Sequence, residues 1–434
     1  MLNKIKNNLF LKSTLVLLFG GILGKLVGFI LKIIITRYLK TEGMGLFSLL
    51  SPTSSLLTVI ATFSLPTAIS KVISDKSSNS KNLLLSLIPL SIICGIIIII
   101  ITIIISPFLA ANLLKNKELI IPIICLSITV PFISVSSIIK GYFWGKQNMF
   151  PYMLSNFFEQ VSRLILIILF IDKFINIGIT HTICFIIIVN AICEVISQII
   201  MILFFPKNSL NFNNFKFSFK DIRNVLNISI PATTSKIIGS ISYFLEPIIL
   251  TNILLYVGYT KEYIVYEYGV INAYALSLLL MPQFFTQNMA TSLVPELSKY
   301  YSLHDNKMCF KRIKQILLLS CSIGGISTII ITLFPNFFLN LLYNTNEGID
   351  YIRLLSPFTI LFYIEYPLIN ALQTLGKSKE AMKCTIITSL IRIISIIIFS
   401  LFKFGMYSLV ISIIINLLLS SYLYYKEIKN TLSN

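Results

Sequence analysis

Charge is what this sequence has least of. Asp, Glu, Lys and Arg make up 12% of its 434 residues, against 56% hydrophobic residues. Soluble domains carry about 25% charged residues, so half the charge of an ordinary water-facing surface is missing. Histidine is nearly absent, with two residues. His181 and His304 fall in loops or at span edges, which argues against an imidazole proton relay or a histidine metal centre. The seven cysteines have no CxxC spacing and lie mostly inside apolar runs. That pattern offers neither a disulfide framework nor a zinc site, and leaves them as small buried hydrophobes. No GxSxG, P-loop or HExxH sequence occurs, and no paired carboxylates sit in a polar domain. The chain thus offers no catalytic residues, implies no cofactor and no metal, and is not expected to be an enzyme.

What is present comes in long apolar blocks. Leu83–Pro107 and Phe404–Tyr425 contain no charged residue, and about 20 helical residues cross a hydrocarbon core of roughly 30 Å. Breaks of charge and turn residues divide the chain into about twelve spans: 13–36, 44–70, 82–112, 119–139, 151–171, 177–205, 226–255, 265–298, 315–342, 351–375, 384–402 and 404–425. The first is too long for the apolar region of a signal peptide and is expected to remain as a span. The net charge of +18 would suggest nucleic acid in a soluble protein, but no such motif is visible. Numbering the loops alternately places 22 Lys and Arg residues on one side and 7 on the other. Lys and Arg collect on the cytoplasmic side, so both termini are expected inside a bacterial cytoplasmic membrane, with membrane lipid and not nucleic acid as the partner.

Matched features in matched order point to a duplication. Lys25-Leu-Val-Gly28 in the first span is answered by Lys236-Ile-Ile-Gly239 in the seventh. Ser91 and Gly95 in the third are answered by Ser320 and Gly324 in the ninth. Pro131-Phe132 is answered by Pro357-Phe358, and Arg163 through Phe170 by Arg392 through Phe399. The expected organisation is an N-lobe over 1–205, a basic cytoplasmic loop over 206–225 and a C-lobe over 226–434. The fold class is an all-α polytopic membrane protein: two six-helix lobes, a parallel repeat, around a central cleft.

A charge in mid-span costs about 2.5–3.5 kcal/mol and normally faces a cavity or a partner. Lys25 and Lys32 stand seven residues apart and share a helix face to within about 20°, together with Gly28. Lys236 is the equivalent residue of the second half. These three lysines are the candidate cationic cleft. Glu246 is expected to border the same cavity without sharing its face. Glu159 and Arg163, spaced i, i+4, are expected to neutralise each other, and Glu194 to pair with Asn190. Arg353 and Arg392, nearer span ends, are expected to snorkel. Glu159, Arg163, Glu194 and Glu246 remain candidate coupling or cavity residues. Gly28, Gly239, Pro66 and Pro231 are candidate packing or hinge positions.

Several stretches resemble one family. Phe10-Leu-Lys12, Gly24-Lys25-Leu-Val-Gly28-Phe29, Glu42-Gly43-Met-Gly45-Leu46, Leu65-Pro-Thr-Ala-Ile-Ser-Lys71, Lys140-Gly-Tyr-Phe-Trp-Gly145, Glu159-Gln160-Val-Ser-Arg163, Ser229-Ile-Pro231 and Leu293-Val-Pro295-Glu296 are similar to the stage V sporulation protein B group. That group lies within the superfamily of multidrug, oligosaccharidyl-lipid and polysaccharide exporters. The resemblance implies an alternating-access flippase for undecaprenyl-pyrophosphate-linked saccharides in polysaccharide, cell-wall or spore-cortex synthesis. It also implies Lys25 at a position where related lipid flippases hold an arginine in the central cavity. Two other readings stay open: a cation-coupled exporter of drugs or small molecules, and a membrane scaffold that recruits cell-wall synthesis enzymes.

Overall fold

The computed structural model describes residues 9–74, 80–146, 148–205 and 219–433. Most of the expected basic inter-lobe loop, 206–218, lies outside them. Every regular element among the described residues is a helix, as chains without backbone partners in lipid require. Ten of these helical stretches are long and apolar enough to cross a membrane. Two local events separate that number from the expected twelve. The first two expected spans run together as α1 (Leu9–Thr62), which turns at Lys40 where φ is 54°. The expected span 265–298 is broken: α8 (Lys261–Gly269) passes into a π-helical turn at Val270–Ala275, then α9 (Leu276–Leu280), then α10 (Gln283–Ser302).

The contacts divide the chain into two units, one of residues 1–39 and 50–240, the other of 40–49 and 241–434. In the first, α1 breaks after Thr62. Phe63 and Ser64 take positive φ of 44° and 49°, and the chain restarts as α2 (Leu65–Ser74) with Pro66 in its first turn, where a missing N–H costs nothing. Then come α3 (Ser80–Phe108), α4 (Ile120–Gly145), α5 (Phe150–Ile175) and α6 (Ile179–Leu203). Here α4 is the central helix: α2, α3 and α6 all pack on it, and α5 packs on α6. A core of Ile69, Leu84, Ile138, Phe143 and Met201 seals α2, α3, α4 and α6 together.

The second unit begins within α7 (Phe219–Val257) and continues through α8, α9 and α10 to α11 (Asn306–Leu333), α12 (Pro335–Tyr343), α13 (Ile349–Leu355), α14 (Thr359–Thr374), α15 (Ser378–Leu401) and α16 (Tyr407–Ser433). Now α14 is central: α10, α11 and α16 pack on it, and α15 packs on α16. This is the scheme of the first unit, helix for helix. The paired glycines serve it. A Cβ on Gly95 would stand 2.9 Å from Pro131 of α4, so only glycine lets α3 come so close. A Cβ on Gly324 of α11 would overlap the Tyr363 ring of α14.

One short segment leaves its helix's own unit. Residues 40–49 of α1 cluster with the second unit, although the residues on either side belong to the first. The Thr41 hydroxyl donates to Glu347 at 2.7 Å and shares a hydrogen bond with Tyr274 at 3.1 Å. Two glycines cross here: a Cβ on Gly269 would meet the Gly45 nitrogen at 2.7 Å, and one on Gly45 would overlap the Val265 carbonyl.

Candidate functional site

In the first unit five polar residues of α5 share one face. Tyr152, Asn156, Glu159, Gln160 and Arg163 fall at i, i+4, i+7, i+8 and i+11, an arc of about 100°. Arg163 bonds Glu159 at 2.7 Å, the spacing-based pair expected from sequence. Glu194 of α6 does not pair with Asn190. It accepts from Lys140 of α4 at 3.0 Å, across 54 residues of sequence. Lys140, counted among the loop charges by its position near a span end, is a helix residue whose ammonium stays beside this carboxylate. The two pairs interact with each other through Glu159 and Glu194, so three helices share one charge-balanced network. A lone charge there would carry the full cost of leaving water.

Away from this network lie the candidate cations. Lys25 and Lys32 on α1, and Lys236 on α7, all have exposed side chains. All three belong to the first unit, because the division falls at 240/241 and not at 226. Lys32 and Lys236 make no ion pair among the described residues. The α1 face beside them meets α5: a Cβ on Gly24 would touch the Asn156 amide at 3.3 Å, and one on Gly28 the Gln160 Oε1 at 3.5 Å. Gly28 thus does lie at a helix contact. Gly239 does not, since a Cβ there meets nothing within 4 Å; it stands beside the division between units. Pro66 opens α2 and lies against Gly141 of α4, 3.1 Å from where a Cβ would be. Pro231 lies within α7.

The second unit holds its charge differently. Glu246 of α7 is 3% exposed and bonds Arg392 of α15 at 2.6 Å. This corrects two expectations: Arg392 does not snorkel, and Glu246 is sealed in an ion pair instead of bordering open space. Position along a span mispredicted Arg392 because a guanidinium prefers a buried carboxylate within reach to a distant interface. Glu365 of α14 lies within electrostatic reach of the same Arg392 and beside the Ser420 hydroxyl. The ion pair itself is with Glu246. Among the described residues no group of three His, Cys, Asp or Glu side chains could hold a metal ion.

Helices of this length and hydropathy, folded into two similarly packed units with charges held inside, define a multi-pass membrane protein of transporter fold. Its whole length follows known transporters of that fold. A multidrug resistance MATE family transporter of the MOP superfamily in its inward-facing conformation superposes with TM-score 0.77 at 15% identity, covering 97% of this chain and 98% of the other. A MOP superfamily transporter from Pyrococcus furiosus Vc1, described as having a binding pocket of reverse polarity, gives TM-score 0.70 at 18% identity, with 97% and 96% covered. Residues 10–301 match the polysaccharide biosynthesis protein family, and the chain belongs to it. Residues 240–398 also match the MatE family. Stage V sporulation protein B of Bacillus subtilis (strain 168) is similar at 29% identity over 396 residues, 88% of this chain and 76% of that protein. Sporulation protein YkvU of the same organism is similar at 23% over 386 residues, 86% and 84% respectively.

Proposed function

We propose that the chain is a flippase that carries undecaprenyl-pyrophosphate-linked saccharide from the inner to the outer leaflet of a bacterial cytoplasmic membrane. The observation that carries this reading is the set of exposed cations, Lys25, Lys32 and Lys236, on membrane-spanning helices of a family tied to polysaccharide synthesis. An exposed ammonium in a span needs an anion or water, and a pyrophosphate offers several acceptor oxygens to such point charges. The polyprenyl tail remains in lipid while the head group is carried. The termini lie in the cytoplasm on this reading, and the similarity to stage V sporulation protein B supports a role in wall or spore-cortex assembly.

The test is leaflet accessibility of lipid-linked wall precursor in cells depleted of the protein. Wild type restores outer-leaflet precursor, and Lys25→Ala at equal protein level restores less than a tenth of it, a loss of about 1.4 kcal/mol or more in effective binding. Unchanged precursor distribution on depletion would remove the flippase reading. A second reading, a cation-coupled exporter of amphipathic molecules, is favoured by one observation: the carboxylates inside the second unit, where Glu246 is paired with Arg392 and Glu365 lies within electrostatic reach of it. In that case depletion leaves precursor untouched and sensitises cells to cationic drugs, with Glu246→Gln reproducing the effect.

A further inference from the structure

Four side-chain amides in these apolar helices are tied to the main chain. Gln198 donates to the Phe132 carbonyl at 2.6 Å, Asn252 to Ile248 at 2.7 Å, Asn272 to Tyr268 at 3.0 Å, and Asn416 to Thr388 at 3.1 Å. Each turns its N–H groups onto the main chain, because lipid offers no alternative acceptor. Others are not: the buried Asn370 amide nitrogen has no partner, and Asn156 and Gln160 of α5 are likewise untied. Asn156 and Gln160 are half-buried in the first half of a membrane-spanning helix, and neither makes a hydrogen bond among the described residues.

Their surroundings show what they face. One side of the α5 polar face is occupied by Glu159 and Arg163, which hold each other. The other side carries Asn156 and Gln160, set i, i+4 against Gly24 and Gly28, also i, i+4. Glycine brings the α1 backbone close to the amides, where any larger residue would press on them. Around α1 from that glycine seam, Lys32 follows Gly28 by about 40° and Lys25 by about 60°. A strip of neutral donors and acceptors thus runs alongside a strip of cations.

We infer that Asn156 and Gln160 form a saccharide-reading subsite next to the phosphate-binding lysines. The lysines supply point charge, which recognises phosphate and is blind to hydroxyl pattern. A carboxamide supplies two donors and an acceptor in a fixed plane, the complement of sugar hydroxyl and acetamido groups. The two strips divide the ligand: charge to Lys25 and Lys32, glycan to Asn156 and Gln160. This assignment rests on the flippase reading and names the residues that set its selectivity.

The test uses full-length protein in detergent and two probes, undecaprenyl pyrophosphate alone and undecaprenyl-pyrophosphate-linked disaccharide. Wild type binds the disaccharide lipid roughly tenfold more tightly than the bare lipid. In Asn156→Leu and Gln160→Leu that preference falls to within about threefold, with bare-lipid affinity unchanged. Lys25→Ala instead weakens both lipids in parallel. Should the leucine variants fail to fold, the amide-keeping swaps Asn156→Gln and Gln160→Asn serve: these retain bare-lipid affinity and alter the order of preference among different disaccharides. The subsite is overturned if the preference survives in every variant, or if these substitutions weaken both lipids equally, which marks a packing role. Wild type that binds neither lipid overturns the flippase reading itself, an outcome distinct from either.

Discussion

Arg163 and Arg392 occupy matched places in the two halves of the sequence, and they solve the same problem in different ways. Arg163 finds Glu159 one turn back on its own helix. Arg392 has Thr388 at that position, and Thr388 is buried with its hydroxyl on the Thr385 carbonyl. Its carboxylate comes instead from Glu246 of α7, outside the α14–α16 packing that surrounds α15. The packing scheme is shared by the two units while the charge pattern is not. The first unit balances its internal carboxylates with Lys140 and Arg163 and presents three further lysines. The second pairs Glu246 with Arg392 and leaves Glu365 beside the Ser420 hydroxyl. A duplicated scaffold can therefore carry different charge patterns in its two units while its helices pack by the same scheme.

The largest expected effect tests whether the two arginines differ in structural weight. Arg392→Met leaves Glu246 buried with no counter-charge, at a cost of about 3–5 kcal/mol, read as thermal unfolding in detergent. Arg163→Met costs about 1–3 kcal/mol, because its partner is on the same helix and belongs to a network that keeps Lys140. Equal losses in the two variants would erase the contrast. Next, Gly324→Ala drives a methyl into the Tyr363 ring and costs about 1–3 kcal/mol by overpacking. Gly239→Ala, facing open space, stabilises α7 by roughly 0.5–1 kcal/mol through helix propensity. Equivalent packing roles for the two glycines would show as losses of the same sign. The smallest effect sharpens the local comparison: adding Thr388→Glu to Glu246→Gln gives Arg392 the partner that Arg163 has, and recovers about 0.5 kcal/mol.

Much of this architecture is legible in the amino-acid sequence. Scarce charge and uninterrupted apolar runs dictate membrane helices, and the Ser91/Gly95 and Ser320/Gly324 pairs mark real helix contacts in both units. The Glu159–Arg163 pair follows from spacing alone, because i, i+4 neighbours meet on any helix. Lys140–Glu194 and Glu246–Arg392 do not follow in that way. Their partners are far apart in sequence, and position along a span says nothing about which neighbouring helix brings an opposite charge. The turn at Lys40 is equally hidden. A lysine with positive φ is unfavoured by its own side chain, and it is the hydrogen bonds of Thr41 and the glycine crossing nearby that hold the chain in place. Asn156 and Gln160 do carry a signal, but one that a search for charged residues misses: they extend the polar face of α5 beyond the Glu159–Arg163 pair.

The loan of residues 40–49 to the second unit has a consequence for dissecting the gene. A cut in the polar stretch after residue 205 looks like the natural place to divide the coding sequence into two independent cassettes. The C-terminal cassette made alone would lack the piece that supplies Thr41 to Glu347 and Gly45 to Gly269. It would have to be produced together with its N-terminal counterpart, and a pull-down of one fragment should recover the other.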